Sequence, residues 1–135
     1  MSLDLDRVIY LSTATGSTGS LLNMVAILAE SQRNNERDGL TGALAAHDER
    51  FLQVLEGPRQ TLDGLLRRLA EDPRHKDITI IDRRPIDERL FAGWAMANAR
   101  FSPGKAQALS MLVEAPGAPP SEILQLMRDA VAASM

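Results

Sequence analysis

Apolar positions along the chain recur in two rhythms, and the change from one to the other marks the elements. Over residues 5–12 they alternate, with Leu5, Ile9 and Leu11 on one side and Val8, Tyr10 and Ser12 on the other, which predicts a strand. Residues 13–19 have loop composition. Ser20 is placed to cap the next element, although Asn23 stands where a full capping box has Glu or Gln. Leu21, Met24, Val25 and Leu28 then recur at helical spacing, predicting a helix from 21 to about 36 with Gly39 as its terminator. Residues 40–46 and 51–55 read as two strands joined by a hairpin loop over 47–50.

Pro58 suits the first turn of a second helix, and Leu62, Leu65, Leu66 and Leu69 give it an i, i+3, i+4, i+7 stripe that ends before Pro73. Residues 77–82 and 93–99 predict two more strands, separated by a polar loop around Arg83-Arg84-Pro85. The order is β-α-β-β-α-β-β, and its first six elements match the ferredoxin-like α+β pattern, in which two helices cover one face of the sheet. From residue 101 the character changes. Pro-rich stretches bracket a short helical segment with Leu109, Leu112 and Val113, and a last helix begins at Ser121 with Ile123, Leu124, Leu126, Met127 and Val131. The expected organisation is one domain over residues 1–100, with an additional fifth strand within it, and a helical extension over 101–135. That extension packs on the sheet's open face or at a dimer contact.

Composition narrows the function classes. The chain has 135 residues, 44% hydrophobic and 24% charged, with a net charge of −3, so neither nucleic acid nor an anionic membrane is an expected partner. With no apolar run of membrane-spanning length and no signal-peptide pattern, a cytoplasmic location is expected. There is no cysteine, which removes disulfides, thiolate nucleophiles and Cys-based zinc sites. His47 and His75 lack ligand-like spacing, so no metal site is expected.

A few residues do not fit the pattern around them. Gln53 lies mid-strand on the same face as Phe51 and Leu55, where an unpaired amide costs about 1–3 kcal/mol. It either bonds a neighbouring main chain or meets a bound polar ring. Tyr10 is open in the same way, but first and third strands are neighbours in this fold, so the two form a polar pair in an apolar layer. Asn34 and Asn35 come seven residues after Ile27 and Leu28, which places each amide near the face of its apolar mate. They are either a frayed helix end or part of a site. Leu65, Arg68 and Asp72 fall in line on the second helix. This is either a solvated Arg68–Asp72 pair worth about 0.3–0.5 kcal/mol or the rim of a cleft made apolar by Ile27 and Leu69. Such a cleft suits a flat heteroaromatic ligand with carbonyl edges. Trp94 and Met96, two apart, are expected on one face of the last strand. The loop over 15–20 has no P-loop or dinucleotide pattern.

Taken together, several blocks resemble the BLUF family of flavin-based blue-light sensors: Arg7-Val8-Ile9-Tyr10-Leu11-Ser12, Ser31-Gln32-Arg33-Asn34-Asn35, Gly39-Leu40-Thr41-Gly42 and Phe51-Leu52-Gln53-Val54-Leu55-Glu56-Gly57. Asp72-Pro73-Arg74-His75, Pro85-Ile86 and Phe91-Ala92-Gly93-Trp94-Ala95-Met96 extend the resemblance to residues 5–97. It implies a photoreceptor, not an enzyme, that holds FAD non-covalently. It further implies that Tyr10 donates an electron to the excited flavin and that Gln53 bridges the two and rearranges. Asn35 would bond the ring's C4 carbonyl edge with Asn34 beside it, and Arg68 would lie near the C2 carbonyl. Asp72 and His75 would line the cofactor, and Ile27 and Leu69 would sandwich the ring, Leu69 standing where isoleucine is frequent. Trp94 and Met96 would pass the signal outward, to a downstream signalling protein of unknown identity or through a homo-oligomer.

Two other function classes share this order of elements. An acylphosphatase-like hydrolase needs arginine converging on a phosphate cradle, and the Thr15–Gly19 loop has none nearby. An RNA-binding module needs exposed aromatic residues on a basic face. Fold order alone decides neither.

Overall fold

The computed structural model describes residues 4–14, 21–47, 50–71, 75–99, 103–114 and 120–133. Among these residues, five strands and four helices succeed one another: β1 (Leu5–Ala14), α1 (Leu21–Asp38), β2 (Thr41–His47), β3 (Arg50–Pro58), α2 (Arg59–Glu71), β4 (His75–Ile86), β5 (Ala97–Asn98), α3 (Pro103–Glu114) and α4 (Pro120–Ala133). The sheet order is β4-β1-β3-β2-β5. Its first four strands pair antiparallel, and β5 adds a short parallel pairing of Ala43 with Ala97 and Leu44 with Asn98. This is the ferredoxin-like arrangement that the order of elements predicts.

Strand alternation divides the interior into two apolar layers. On one face Val8, Tyr10, Leu44, Phe51 and Leu55 are buried with Leu62, and Leu28, Leu65, Leu66 and Leu69 of α1 and α2 pack against them. On the other face Ile9, Ala43, Ala45, Leu52 and Val54 are buried with Leu109 of α3 and Ile123, Met127, Ala130 and Val131 of α4. Complete burial of a Leu or Ile side chain contributes about 1.5–3 kcal/mol, so α4 is an integral layer of the interior.

Two local devices fix the geometry around the site. Gly39 ends α1 at φ 72°, and the Leu40 amide bonds the Asn35 carbonyl at 2.8 Å, the six-to-one bond of a Schellman cap. A side chain at Gly42 would run into the Val54 carbonyl of β3, while the Gly42 amide donates to the Trp94 carbonyl at 3.0 Å.

The last two strands differ from the sequence expectation. The predicted strand over 77–82 extends to His75–Ile86 and takes in the presumed loop at Arg83-Arg84-Pro85. β4 is an edge strand, where charged side chains and a proline missing one ladder donor are tolerated. Arg83 also gains partners there, reaching Asp6 at 3.0 Å and Asp63 of α2 at 2.7 Å. Conversely, the strand expected over 93–99 shrinks to two residues. Residues 91–94 form a β-turn closed by Trp94 N–H to Phe91 O at 3.0 Å, with Gly93 at φ 88° in the position where a type II turn requires a positive value. The expected cap Ser20 and the terminator Pro73 lie outside the described residues.

Replacing Gly42 with Ala forces a methyl group against the β3 backbone, which has no flexible end to move. Gly42→Ala is expected to lower folding stability by about 1–3 kcal/mol, as read by the midpoint of urea unfolding.

Candidate functional site

The β1–β3 register sets Tyr10 directly opposite Gln53. Both are enclosed, with 1% and 4% of their surface exposed, and both lie on the α1/α2 face, where Val8, Leu44, Phe51, Leu55 and Met96 are also buried. On the other side of β1, the pairing with β4 shifts register between Ile9 and Tyr10 and again between Leu11 and Thr13. Such irregularities re-aim side chains and increase local twist, and here they flank Tyr10. Among the described residues no buried side-chain nitrogen or oxygen lacks a hydrogen-bond partner. The polar pair therefore sits in a layer where each enclosed polar atom is satisfied.

The C-terminal turns of α1 supply the amides. Asn35 is buried and its Nδ2 donates to the Ala95 carbonyl at 2.7 Å, whereas Asn34, one position before it, is half-buried. Gln32, nearly one turn earlier on the same side of the helix, donates through Nε2 to the Met96 carbonyl at 3.0 Å. Leu69 is partly buried against the layer that holds Tyr10. Arg68 faces outward at the rim, with 60% of its side chain exposed and its Nη2 3.6 Å from Asp38 Oδ2. Its ionic contact is therefore across to the end of α1. Asp72, the partner expected from the sequence, lies outside the described residues, as do the side chains of Ile27 and His75.

Trp94 and Met96 do not share a face. Met96 is buried in the layer with Tyr10, while Trp94 packs against the opposite layer, the one that holds Ile9, Ile123 and Met127. The expectation of a common face assumed strand alternation. Residues 91–96 instead leave the glycine turn and pass the edge of β2 without strand geometry, so period-two spacing does not apply.

Two residues that carry this geometry gained no role from the sequence pattern. Gln32 precedes Asn35 by three positions, a spacing that puts both amides on one helix face. Glu56 interrupts the apolar run of β3 and is completely buried, bonding Arg7 Nε and the Leu90 amide through Oε2 and the Phe91 amide through Oε1, each at 2.9 Å. A carboxylate in the middle of an apolar strand is the signal that could have found it.

The donor set fits a flavin ring. A phenol and carboxamides that both donate and accept, beside the leucine wall of Leu28, Leu65, Leu66 and Leu69, complement a flat ring with alternating carbonyl and N–H edges. Comparison with known proteins agrees. The family profile described as sensors of blue-light using FAD matches residues 5–97. The chain belongs to the BLUF family. Subunit beta of the photoactivated adenylate cyclase of Euglena gracilis is 34% identical over 96 residues, which cover 70% of this chain and 11% of that protein. The chain thus spans about a tenth of the length of the curated relatives it matches. The dark-state structure of BlrB, a BLUF protein, superposes with a TM-score of 0.76 at 31% identity over 100% of both chains. Klebsiella pneumoniae BlrP1, solved with FMN and cyclic diGMP, gives 0.69 at 25% identity, covering 93% of this chain and 34% of that one. The BLUF assignment makes the module a flavin-based light sensor and leaves the acylphosphatase-like alternative without support.

At the end of α1, Arg37 bonds Asp38 through Nε at 3.0 Å and Nη2 at 3.3 Å. That bond, with the charges of Arg37 and Arg68, holds the Asp38 carboxyl below its usual value against a smaller opposing effect of burial. A lowered folded value stabilises the fold above the unfolded pKa, and the contribution is lost as pH falls through the lowered value. The Asp38 carboxyl carbon is expected to titrate by NMR below the usual value of about 3.9, and Arg37→Gln is expected to move that midpoint upward.

Proposed function

We propose that this BLUF module binds FAD non-covalently against the α1/α2 face of the sheet and signals through rearrangement of the hydrogen bonds around Tyr10 and Gln53. The observation that carries the proposal is the β1–β3 register, which sets the two residues opposite each other inside an apolar layer. Asn35, with Asn34 beside it, would engage the carbonyl edge of the ring, and Arg68 would meet it from the rim. Leu69 and Ile27 would press on its faces, with Asp72 and His75 completing the lining.

When bound and excited by blue light, a flavin supplies a strong one-electron oxidant. Tyr10 is the neutral phenol placed to give up an electron, and an oxidised phenol becomes a strong acid at Oη. The Gln53 carboxamide has an acceptor at Oε1 and donors at Nε2, so it can take that proton and return it. Once the electron as well as the proton has returned to Tyr10, the amide can rest rotated or tautomerised. An enclosed carboxamide with two stable arrangements is the bistable element that a local switch needs. The charge state before and after is the same; what differs is the direction of the hydrogen bonds and, in the tautomer, which atom of the amide carries the proton.

The change would leave through Met96, which packs in the same layer as Tyr10, and through Trp94 on the opposite face. The receiver would be a downstream signalling protein or a second copy of the chain, met in the cytoplasm. The family's description supports FAD, while the Klebsiella pneumoniae structure holds FMN. Heat release of the flavin and its identification by mass spectrometry are expected to give FAD, and FMN alone would refute that part of the proposal.

The purified protein is expected to be yellow and to show a small reversible red shift of its flavin absorption under blue light. Tyr10→Phe and Gln53→Leu should each keep the flavin and abolish the reversible shift. A colourless protein would refute flavin binding, and a variant that still photocycled normally would refute the switch.

A further inference from the structure

The segment leading to Trp94 and Met96 is tied down at its two ends by different chemistry. At the near end, the buried Glu56 carboxylate accepts from the Leu90 and Phe91 amides and from Arg7 Nε, each at 2.9 Å, with Thr41 Oγ1 at 3.4 Å. The neighbouring residues are tied to the same place. Arg7 Nη2 donates to the Glu88 carbonyl at 3.4 Å, and Arg89 Nη1 donates to the Glu56 carbonyl at 3.2 Å and to Thr41 Oγ1 at 3.1 Å. At the far end, the ties are neutral amides, from Gly42 of β2 to the Trp94 carbonyl at 3.0 Å and from α1 by Asn35 to the Ala95 carbonyl and Gln32 to the Met96 carbonyl.

The two ends differ in strength and in what they are attached to. Bonds to an ionised acceptor are roughly twice as strong as neutral ones, and Glu56 and Arg7 are direct partners in the central β1–β3 ladder. Removing one acceptor here would leave a buried guanidinium and two amides without their partner, a costly outcome. The far end is held only by neutral bonds, the shortest of them from Asn35, a residue of the proposed flavin site, at 2.7 Å.

We propose that Glu56 is a positioning residue that holds residues 90–91 still, so that a change in the flavin site moves residues 94–96 about that fixed point. Its light-dependent half rests on the photoreceptor reading; its dark half stands on the hydrogen bonds alone.

Amide hydrogen exchange of the full chain, monitored by NMR, tests both halves. In the dark, the Leu90 and Phe91 amides should exchange as slowly as amides of the β1–β3 ladder, although they lie outside any helix or strand. Exchange as fast as that of exposed loop amides would overturn the anchor, whether or not the protein responds to light. Under blue light, exchange and chemical shifts should change over 94–96, including the single Trp94 indole signal, and stay constant at 90–91. Equal changes at both places in a protein with a normal red shift would overturn the fixed point. A protein with no red shift would instead refute the photoreceptor reading and the light-dependent half together, the dark measurement still deciding the anchor.

Glu56→Gln replaces one acceptor oxygen with a donor that opposes a backbone amide. It should speed exchange at 90–91 by roughly tenfold to a hundredfold, as loss of bonds to a charged acceptor implies. It should keep the initial red shift and alter the rate of dark recovery by roughly twofold to thirtyfold, the span that residues coupling two places command. Unchanged exchange and recovery in a folded, flavin-loaded variant would overturn the role. If that variant does not fold, the dark exchange of the unmodified protein decides.

Discussion

The antiparallel ladder between β1 and β3 sets Tyr10 opposite Gln53 on one face of the sheet and, three residues along, Arg7 opposite Glu56 on the other. Both polar pairs are buried, and each is set by the same register. A slip of one residue would turn every side chain of a strand to the wrong face. It would strand a carboxylate among the leucines of α1 and α2 and push Val8 and Leu55 toward α4. The cost of burying either pair without its partners makes this ladder strongly specified. The same specificity delivers Tyr10 and Gln53 side by side without help from any loop.

The remaining elements are arranged around that ladder. α1 and α2 cover the Tyr10 face with leucines, and α1 brings Gln32 and Asn35 to the segment that passes the edge of β2. α4 covers the opposite face, so Trp94 packs against the layer of Ile123 and Met127, away from the tyrosine. Charges gather where elements meet near the start of β1. Asp6 takes Arg59 and Arg83, and Asp63 takes Arg83 again, which joins β1, α2 and β4 at one corner. The sheet thus separates the face of the proposed flavin site from the face covered by α3 and α4, and residues 91–96 pass between them.

The chain corresponds to a small part of each Euglena cyclase that it matches, yet it superposes on BlrB over the whole of both chains.

Alternation and helical spacing were enough to place β1, α1, β2, β3 and α2, because each buries one regular face and its pattern is local. They also put Tyr10 and Gln53 on neighbouring strands, and the terminator at Gly39 came from the need for a positive φ at the helix end. Local pattern failed where partners are distant in sequence. Arg83 is polar and still in a strand, because Asp6 and Asp63 are waiting for it across the fold. Residues 93–96 look like a strand and are not one, because Gln32 and Asn35 of α1 take the Met96 and Ala95 carbonyls that a ladder would have used. Trp94 and Met96 consequently belong to opposite layers, and Glu56 finds its partners at Arg7, Leu90 and Phe91, none of them near it in sequence. What is periodic can be read from residue order alone. A hydrogen bond between groups 35 to 77 positions apart exists only once the sheet has closed, since it is chain folding, not composition, that brings its two ends within reach.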